Sequence, residues 1–188
     1  MRLPEFLQQQ LAVKRGDIVE IDAGHDVFER NGSAPIEERA KPYPFTPKMG
    51  TVVGQHEGAH FFTVGQRKGL KVGGKTEPLF VIGTCIKTNT VFVGQGEQHP
   101  GLYRTALRLE EPHWVNEQAR SMVQRETSFG LRIRYRQPLQ SGMLVCNSQN
   151  QWFMDFEVPQ RGVAAGQFAA WHGGEHGDEV LGSAVIAE

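Results

Sequence analysis

The chain has 188 residues, 39% hydrophobic and 22% charged, an ordinary globular composition long enough for one domain or two small ones without metal or disulfide staples. Its 20 Lys and Arg stand against 21 Asp and Glu, and the net charge of −1 excludes a bulk pull towards nucleic acid, so any RNA contact must come from local basic surface. No apolar run is long enough to span a membrane, and Met1–Phe6 lacks the apolar stretch of a secretory signal, so the expectation is a cytoplasmic protein with no membrane partner.

Residues 3–11 read as a short amphipathic helix, with Leu3, Phe6, Leu7 and Leu11 on one face and Pro4 in the first turn. A strand is predicted at 17–22. Residues 23–48 differ in kind: Asn31-Gly32-Ser33, a charged Glu37-Glu38-Arg39, and Pro42, Pro44 and Pro47 are loop composition, read as a surface insertion. From Gly50 onward short β-rich segments dominate, with strands predicted at 51–53, 60–64, 79–82 and 90–93 and a hairpin turn at Lys87-Thr88-Asn89. Pro100-Gly101 is a turn, and the domain boundary is placed just after it. Further strands are predicted at 106–109, 121–124, 131–136, 142–146, 152–158, 167–171 and 181–186. Short strands separated by turns, without helical periodicity, argue for a small antiparallel barrel.

Two basic features could carry function. From Gly58 to Thr76 there are four Lys and Arg side chains and no acid, centred on Gly65-Gln66-Arg67-Lys68-Gly69-Leu70. Glycines let backbone approach a ligand closely, and Arg and Lys supply phosphate contacts. The spacing is not that of a Walker loop, and a solvated basic loop accounts for the composition equally well. Second, in Leu131-Arg132-Ile133-Arg134-Tyr135-Arg136-Gln137, strict alternation sets Arg132, Arg134 and Arg136 on one face, about 6.6 Å apart. Such a ladder suits an RNA backbone. The competing reading pairs these arginines with acids on a neighbouring strand, Asp155 and Glu157.

Other residues carry less. Trp152, Met154, Phe156 and Val158 alternate as a core face, leaving Phe153 as an exposed aromatic candidate. His56 with His60, and His172 with His176, are four apart, but the glycines around them argue for turns rather than a metal-binding helix. Cys85 and Cys146 form no CxxC and read as reduced, mostly buried thiols. No GxSxG or other nucleophile constellation is present, so these residues read as a binder, with no catalytic residue, metal or cofactor assigned.

The run Gly54–Leu70 resembles the G-x-H-x-G-x-x-x-(Y/F)-T-x-G-Q-R-K-G-L block of the tRNA-specific 2-thiouridylases (tRNA-uridine 2-sulfurtransferases). Arg134-Tyr135-Arg136-Gln137 resembles that family's R-Y-R-Q strand, and Gly166-Gln167 its P-G-Q turn, in the same order. The resemblance implies a mainly β fold: a small central β-rich domain over 1–103, with a linker helix and the insertion at about 23–48, then a C-terminal antiparallel β-barrel over 104–188 resembling translation-factor barrels. It implies a tRNA-binding region of an ATP-dependent enzyme that 2-thiolates the wobble uridine of tRNA. The ATP-using PP-loop catalytic domain and its persulfide cysteine are expected outside this chain, with a sulfur-relay donor protein as a further partner. The family's tRNA contacts carry over to Arg134, Tyr135 and Gln167, while Gln66, Arg67 and Lys68 are assigned to RNA or interdomain contact. Alternation and the R-Y contact conflict, because alternation puts Arg134 and Tyr135 on opposite faces unless the strand ends there. The alternative function is a protein-interaction module on the same kind of barrel.

Overall fold

The computed structural model describes residues 14–29, 34–123, 128–174 and 177–187, so the helix expected at 3–11 lies outside the described residues. The fold is mainly β, in two sheets that belong to two separate units. One unit takes the described residues as far as Glu29 together with Tyr43–Leu102; the other takes those from 34 to Pro42 together with Tyr103 onward. Residues 34–42, read from composition as part of a loop in the first domain, thus cluster with the second unit. No helix of the described residues is long and apolar enough to cross a membrane.

The first unit is built on β1 (Gly16–Glu20), β2 (Thr51–His56), β3 (Leu79–Cys85) and β4 (Thr90–Gln95), in the order β2-β1-β4-β3. β1 and β4 run parallel and the other pairs antiparallel. Ile18, Val81, Val91 and Val93 are fully buried in its core, joined from the loops by Ala59 and Leu70. The β3–β4 hairpin turns at Asn89, whose φ of 49° is a left-handed conformation that Asn tolerates better than most residues. Its side chain also organises the surroundings. Oδ1 accepts from the Ala59 N–H at 3.1 Å, and Nδ2 donates to the Lys14 and Arg15 carbonyls at 2.9 Å each.

Residues 60–64 do not form the expected strand. The chain makes a 3-10 turn over Ala59–Phe61, and the Phe61 and Phe62 N–H groups are consumed locally by the Gly58 and Ala59 carbonyls. Alternation of side chains cannot register backbone donors used in this way. Nor is the 23–48 stretch a bare surface loop. Its aromatic side chains pack: Phe28 lies edge-on to Tyr43 at 5.2 Å and to Phe45 at 5.9 Å, and Phe45 meets Phe92 at 5.4 Å.

The second unit holds β5 (Tyr103–Leu109), β6 (His113–Trp114), β7 (Phe129–Arg132), β8 (Gln140–Cys146), β9 (Trp152–Arg161), β10 (Phe168–Gly173) and β11 (Glu179–Val185). The antiparallel order is β5-β9-β8-β7-β10-β11-β6. The sheet curls back on itself. Leu109 bridges Ile186, the Glu110 N–H reaches the Val185 carbonyl at 2.8 Å, and the Ala187 N–H reaches the Arg108 carbonyl at 2.9 Å. These bonds join β5 to the end of β11, which satisfies backbone groups that an open edge would leave exposed. Inside lie Leu107, Leu131, Met154, Ala169 and Trp171, all fully buried.

Two short helices accompany the barrel. α1 (Ile36–Ala40) lies on its outside, where Ala40 and Ile36 pack on Ala106, Phe153 and Val145. Phe153 is therefore 1% exposed, not the open aromatic expected from alternation: its outward face is covered by a helix from a distant part of the sequence. Val158, expected in the core, is 61% exposed, because the β5–β9 register slips between Arg104 and Ala106 and the far end of β9 leaves the alternation. α2 (Glu117–Val123) takes residues 121–123 of the strand expected at 121–124, whose last residue lies outside the described residues; Asn116 caps it, its Oδ1 accepting from the Ala119 N–H at 2.8 Å.

Candidate nucleic-acid interface

The arginine ladder expected over 131–136 does not form. β7 ends at Arg132, and residues 133–136 turn. Gln137 makes that turn. Its N–H bonds the Arg134 carbonyl at 3.1 Å, its Oε1 accepts from the Ile133 N–H at 3.4 Å, and its Nε2 donates to Gln160 Oε1 at 2.5 Å. Alternation fails at this point because the Gln137 side chain, held from two strands away by Gln160, takes the Ile133 N–H that a continuing strand would need. The outcome removes the conflict between Arg134 and Tyr135. Off the ladder, Arg134, Tyr135 and Arg136 are all exposed, Tyr135 at 89%.

Arg134 also ties this turn to the next loop. Its Nη2 donates to the Arg161 and Gly162 carbonyls, both at 2.7 Å, at the start of the β9–β10 connection. That connection carries Gly166 and Gln167. Gly166 has φ 81°, a conformation that favours glycine, and its N–H bonds the Ile186 carbonyl at 2.9 Å. The Gln167 carbonyl accepts from the Ile186 N–H at 2.8 Å, while its half-buried side chain leaves Oε1 with no hydrogen-bond partner among the described residues. Arg132, Arg134, Tyr135, Arg136 and Gln167 therefore gather at one end of the barrel, where β7 and β9 finish and β8 and β10 begin.

Charge at this end is not cancelled by the acids considered from sequence. Asp155 is engaged by Arg39 of α1, whose two Nη groups meet the two carboxylate oxygens at 2.7 and 2.6 Å. Among the described residues no ion pair involves Arg132, Arg134 or Arg136.

In the first unit, Gly65-Gln66 docks beside β3. The Gly65 N–H bonds the Val81 carbonyl at 2.7 Å, and the Val81 N–H bonds the Gln66 carbonyl at 2.9 Å. Gln66 uses its side chain inside the loop, accepting from the Thr63 N–H at 3.2 Å and donating to the Lys68 carbonyl at 2.8 Å. Buried Leu70 anchors the far side. The result is a braced turn with Arg67 and Lys68 exposed and in no ion pair among the described residues. Lys75 differs, being paired with Glu20.

The remaining candidates behave as scaffold. His56 and His99 are buried, and burial holds both below the ordinary imidazole range. His99 bridges the Ile21 carbonyl, 3.1 Å from Nε2, and the Gly101 N–H, 3.2 Å from Nδ1, which requires the neutral ring. Cys85 is half-buried and Cys146 exposed, so neither is the buried thiol expected; hydrogen bonding from Thr88 lowers the Cys85 thiol pKa. Among the described residues no three His, Cys, Asp or Glu side chains cluster as a metal site. Sequence reasoning missed Phe168, which stands 68% exposed at the same end as Arg134. Its signal was available: Trp171, three residues on, has opposite parity along β10 and points inward.

Two family models match the chain: the tRNA methyl transferase PRC-barrel domain over residues 40–95 and the Aminomethyltransferase beta-barrel domain over residues 104–186. A Flavobacterium johnsoniae protein named tRNA-specific 2-thiouridylase MnmA is 44% identical over 195 residues, covering 100% of this chain and 48% of its own length. The chain belongs to the tRNA-specific 2-thiouridylase family. A 2-thiouridylase of the same name from Christiangramia forsetii is likewise 44% identical, with 100% of this chain and 48% of that protein covered. One from Karelsulcia muelleri is 36% identical over 97% of this chain and 46% of its own length. The chain thus spans about half the length of the curated 2-thiouridylases it matches, and the two matched models place both of its β-rich units within the family.

Proposed function

We propose that this chain is the tRNA-holding region of an ATP-dependent, cytoplasmic 2-thiouridylase acting on the wobble uridine. On this reading, adenylation and sulfur delivery fall to a PP-loop domain supplied with ATP and with persulfide sulfur from a relay protein, while these 188 residues bind rather than catalyse. The observation that carries it is the gathering of Arg134, Tyr135, Arg136 and Gln167 at one end of the barrel, beside arginines with no ion-pair partner among the described residues. Guanidinium groups without carboxylate partners keep their positive charge for phosphates, Arg134 even while its Nη2 donates to carbonyls, and an exposed tyrosine offers a ring to a base.

Titration of tRNA into the protein at several salt concentrations tests this. The expected result is binding that weakens steeply with salt, as displaced counterions require. Arg136→Ala, which alters an exposed side chain in no ion pair among the described residues, should weaken tRNA binding about five- to tenfold and lower the salt slope by about one. Arg134→Ala should do at least as much, because it also releases the β9–β10 loop. Unchanged tRNA affinity in both variants, or no binding by the unaltered protein at low salt, would remove the assignment in favour of a protein-interaction module.

A further inference from the structure

We infer that the outer face of the β7–β10 pair is a stacking site for an unpaired nucleobase, formed by Phe168 and Arg132; this rests on the RNA-binding reading above and extends it. Along β10, Ala169 and Trp171 are fully buried, while Phe168, Ala170 and His172 lie on the opposite, outward face. Along β7, Leu131 is fully buried and Arg132 points outward. The register pairs Arg132 with Ala170, so Phe168 is the diagonal neighbour of Arg132 on that face. The residue between them in the pattern is only an alanine, which leaves the ring and the guanidinium without a bulky side chain separating them.

Phe168 is 68% exposed, the one phenylalanine among the exposed large hydrophobic side chains of the described residues. Beside it, Arg132 makes no ion pair among the described residues, and its Nε is buried without a hydrogen-bond partner. A flat apolar ring next to a planar cation is the chemistry that holds a single base: the ring supplies stacking, and the guanidinium supplies cation–π attraction and a phosphate contact. A-form duplex has no unstacked base to offer, so the site selects single-stranded or looped RNA. The same face continues past Arg132 into an open cleft of about 490 Å³, lined by Gly130, Ser141, His172 and Gly173, within the size range of small-ligand sites. His172 in that cleft is held below its ordinary pKa by burial and by the Arg132 charge, so it adds no competing positive charge near neutral pH.

The test compares three RNAs by fluorescence anisotropy at low salt: tRNA, a short unstructured oligonucleotide, and a duplex of the same length. Phe168→Ala should weaken oligonucleotide binding about tenfold and leave duplex binding unchanged, while Phe168→Trp restores it. Arg132→Lys, which keeps the charge but not the planar face, should weaken the oligonucleotide several-fold with the same salt slope. Oligonucleotide affinity unchanged by Phe168→Ala, or equal losses for duplex and single strand, overturns the stacking site. Its failure is separable from that of the broader reading. If tRNA binding falls in Arg136→Ala but is indifferent to Phe168→Ala, the stacking site alone is wrong. If the unaltered protein binds none of the three RNAs, both are wrong.

Discussion

Replacing Arg39 by Ala isolates what holds α1 against the barrel. The guanidinium sits at 16% exposure and the Asp155 carboxylate at 19%, joined by two hydrogen bonds of 2.6 and 2.7 Å. Removing one member of a fully buried pair costs about 3–5 kcal/mol, because the other charge is left unpaired in a poor solvent. An exposed pair is worth at most about 1 kcal/mol. With roughly a fifth of each side chain in water, the expected loss is about 2–3 kcal/mol. Arg39 Nε also gives up a bond to the Ala34 carbonyl at 3.2 Å, which keeps the value from falling lower. For a unit of this size such a loss lowers Tm by about 10 °C or more. The assay is urea unfolding followed by tryptophan fluorescence, which reads the second unit alone, since all three tryptophans, Trp114, Trp152 and Trp171, belong to it. Adding Asp155→Asn to Arg39→Ala removes the stranded charge and should recover part of the loss. A single variant within about 0.5 kcal/mol of the parent, or a double variant no more stable than the single, would refute the argument.

Asn89→Ala should cost the first unit about 2–4 kcal/mol, because it deletes three hydrogen bonds and forces alanine to φ 49°. Asn89→Gly should recover about 1 kcal/mol of that by relieving the backbone alone, and equal denaturation midpoints for the two would contradict it. Stability of the first unit should also fall with acid. His99 and His56 have folded pKa values below their unfolded one, so the unfolded chain binds more protons and stability drops as pH goes below about 6.5 towards the folded values. Hydrogen exchange of β1 and β4 amides between neutral and mildly acid pH reads this, and His99→Gln should flatten the slope.

Where one face of a strand is core and the other is water, the amino-acid pattern spoke clearly: in β8, Gly142 and Leu144 are buried between exposed Ser141 and Met143, while β3 and β4 were legible as short apolar runs buried on both faces. It failed where a distant segment intervened. Phe153 reads as exposed until α1, more than a hundred residues earlier, is laid over it. Arg134 and Tyr135 read as opposite-facing until Gln137 and Gln160 are seen to end the strand. Asp155 offered the arginines of β7 a partner on paper, yet Arg39 occupies both of its oxygens. These are tertiary choices among chemically equivalent partners, and local sequence does not rank them. Phe168 is a simpler case: it has the parity opposite to that of buried Trp171 along β10, which local sequence alone sets outward.

The chain enters the second unit at 34–42, returns to the first at Tyr43, and enters the second again at Tyr103. The second unit is thus not one uninterrupted stretch of sequence, although its barrel strands are. A protein expressed from Tyr103 onward would lack the small strap that shields Phe153 and neutralises Asp155, and would present a greasy, acidic scar to the solvent. Anyone grafting this barrel onto another carrier has to transplant two separate segments of chain, or redesign the face that residues 34–42 cover.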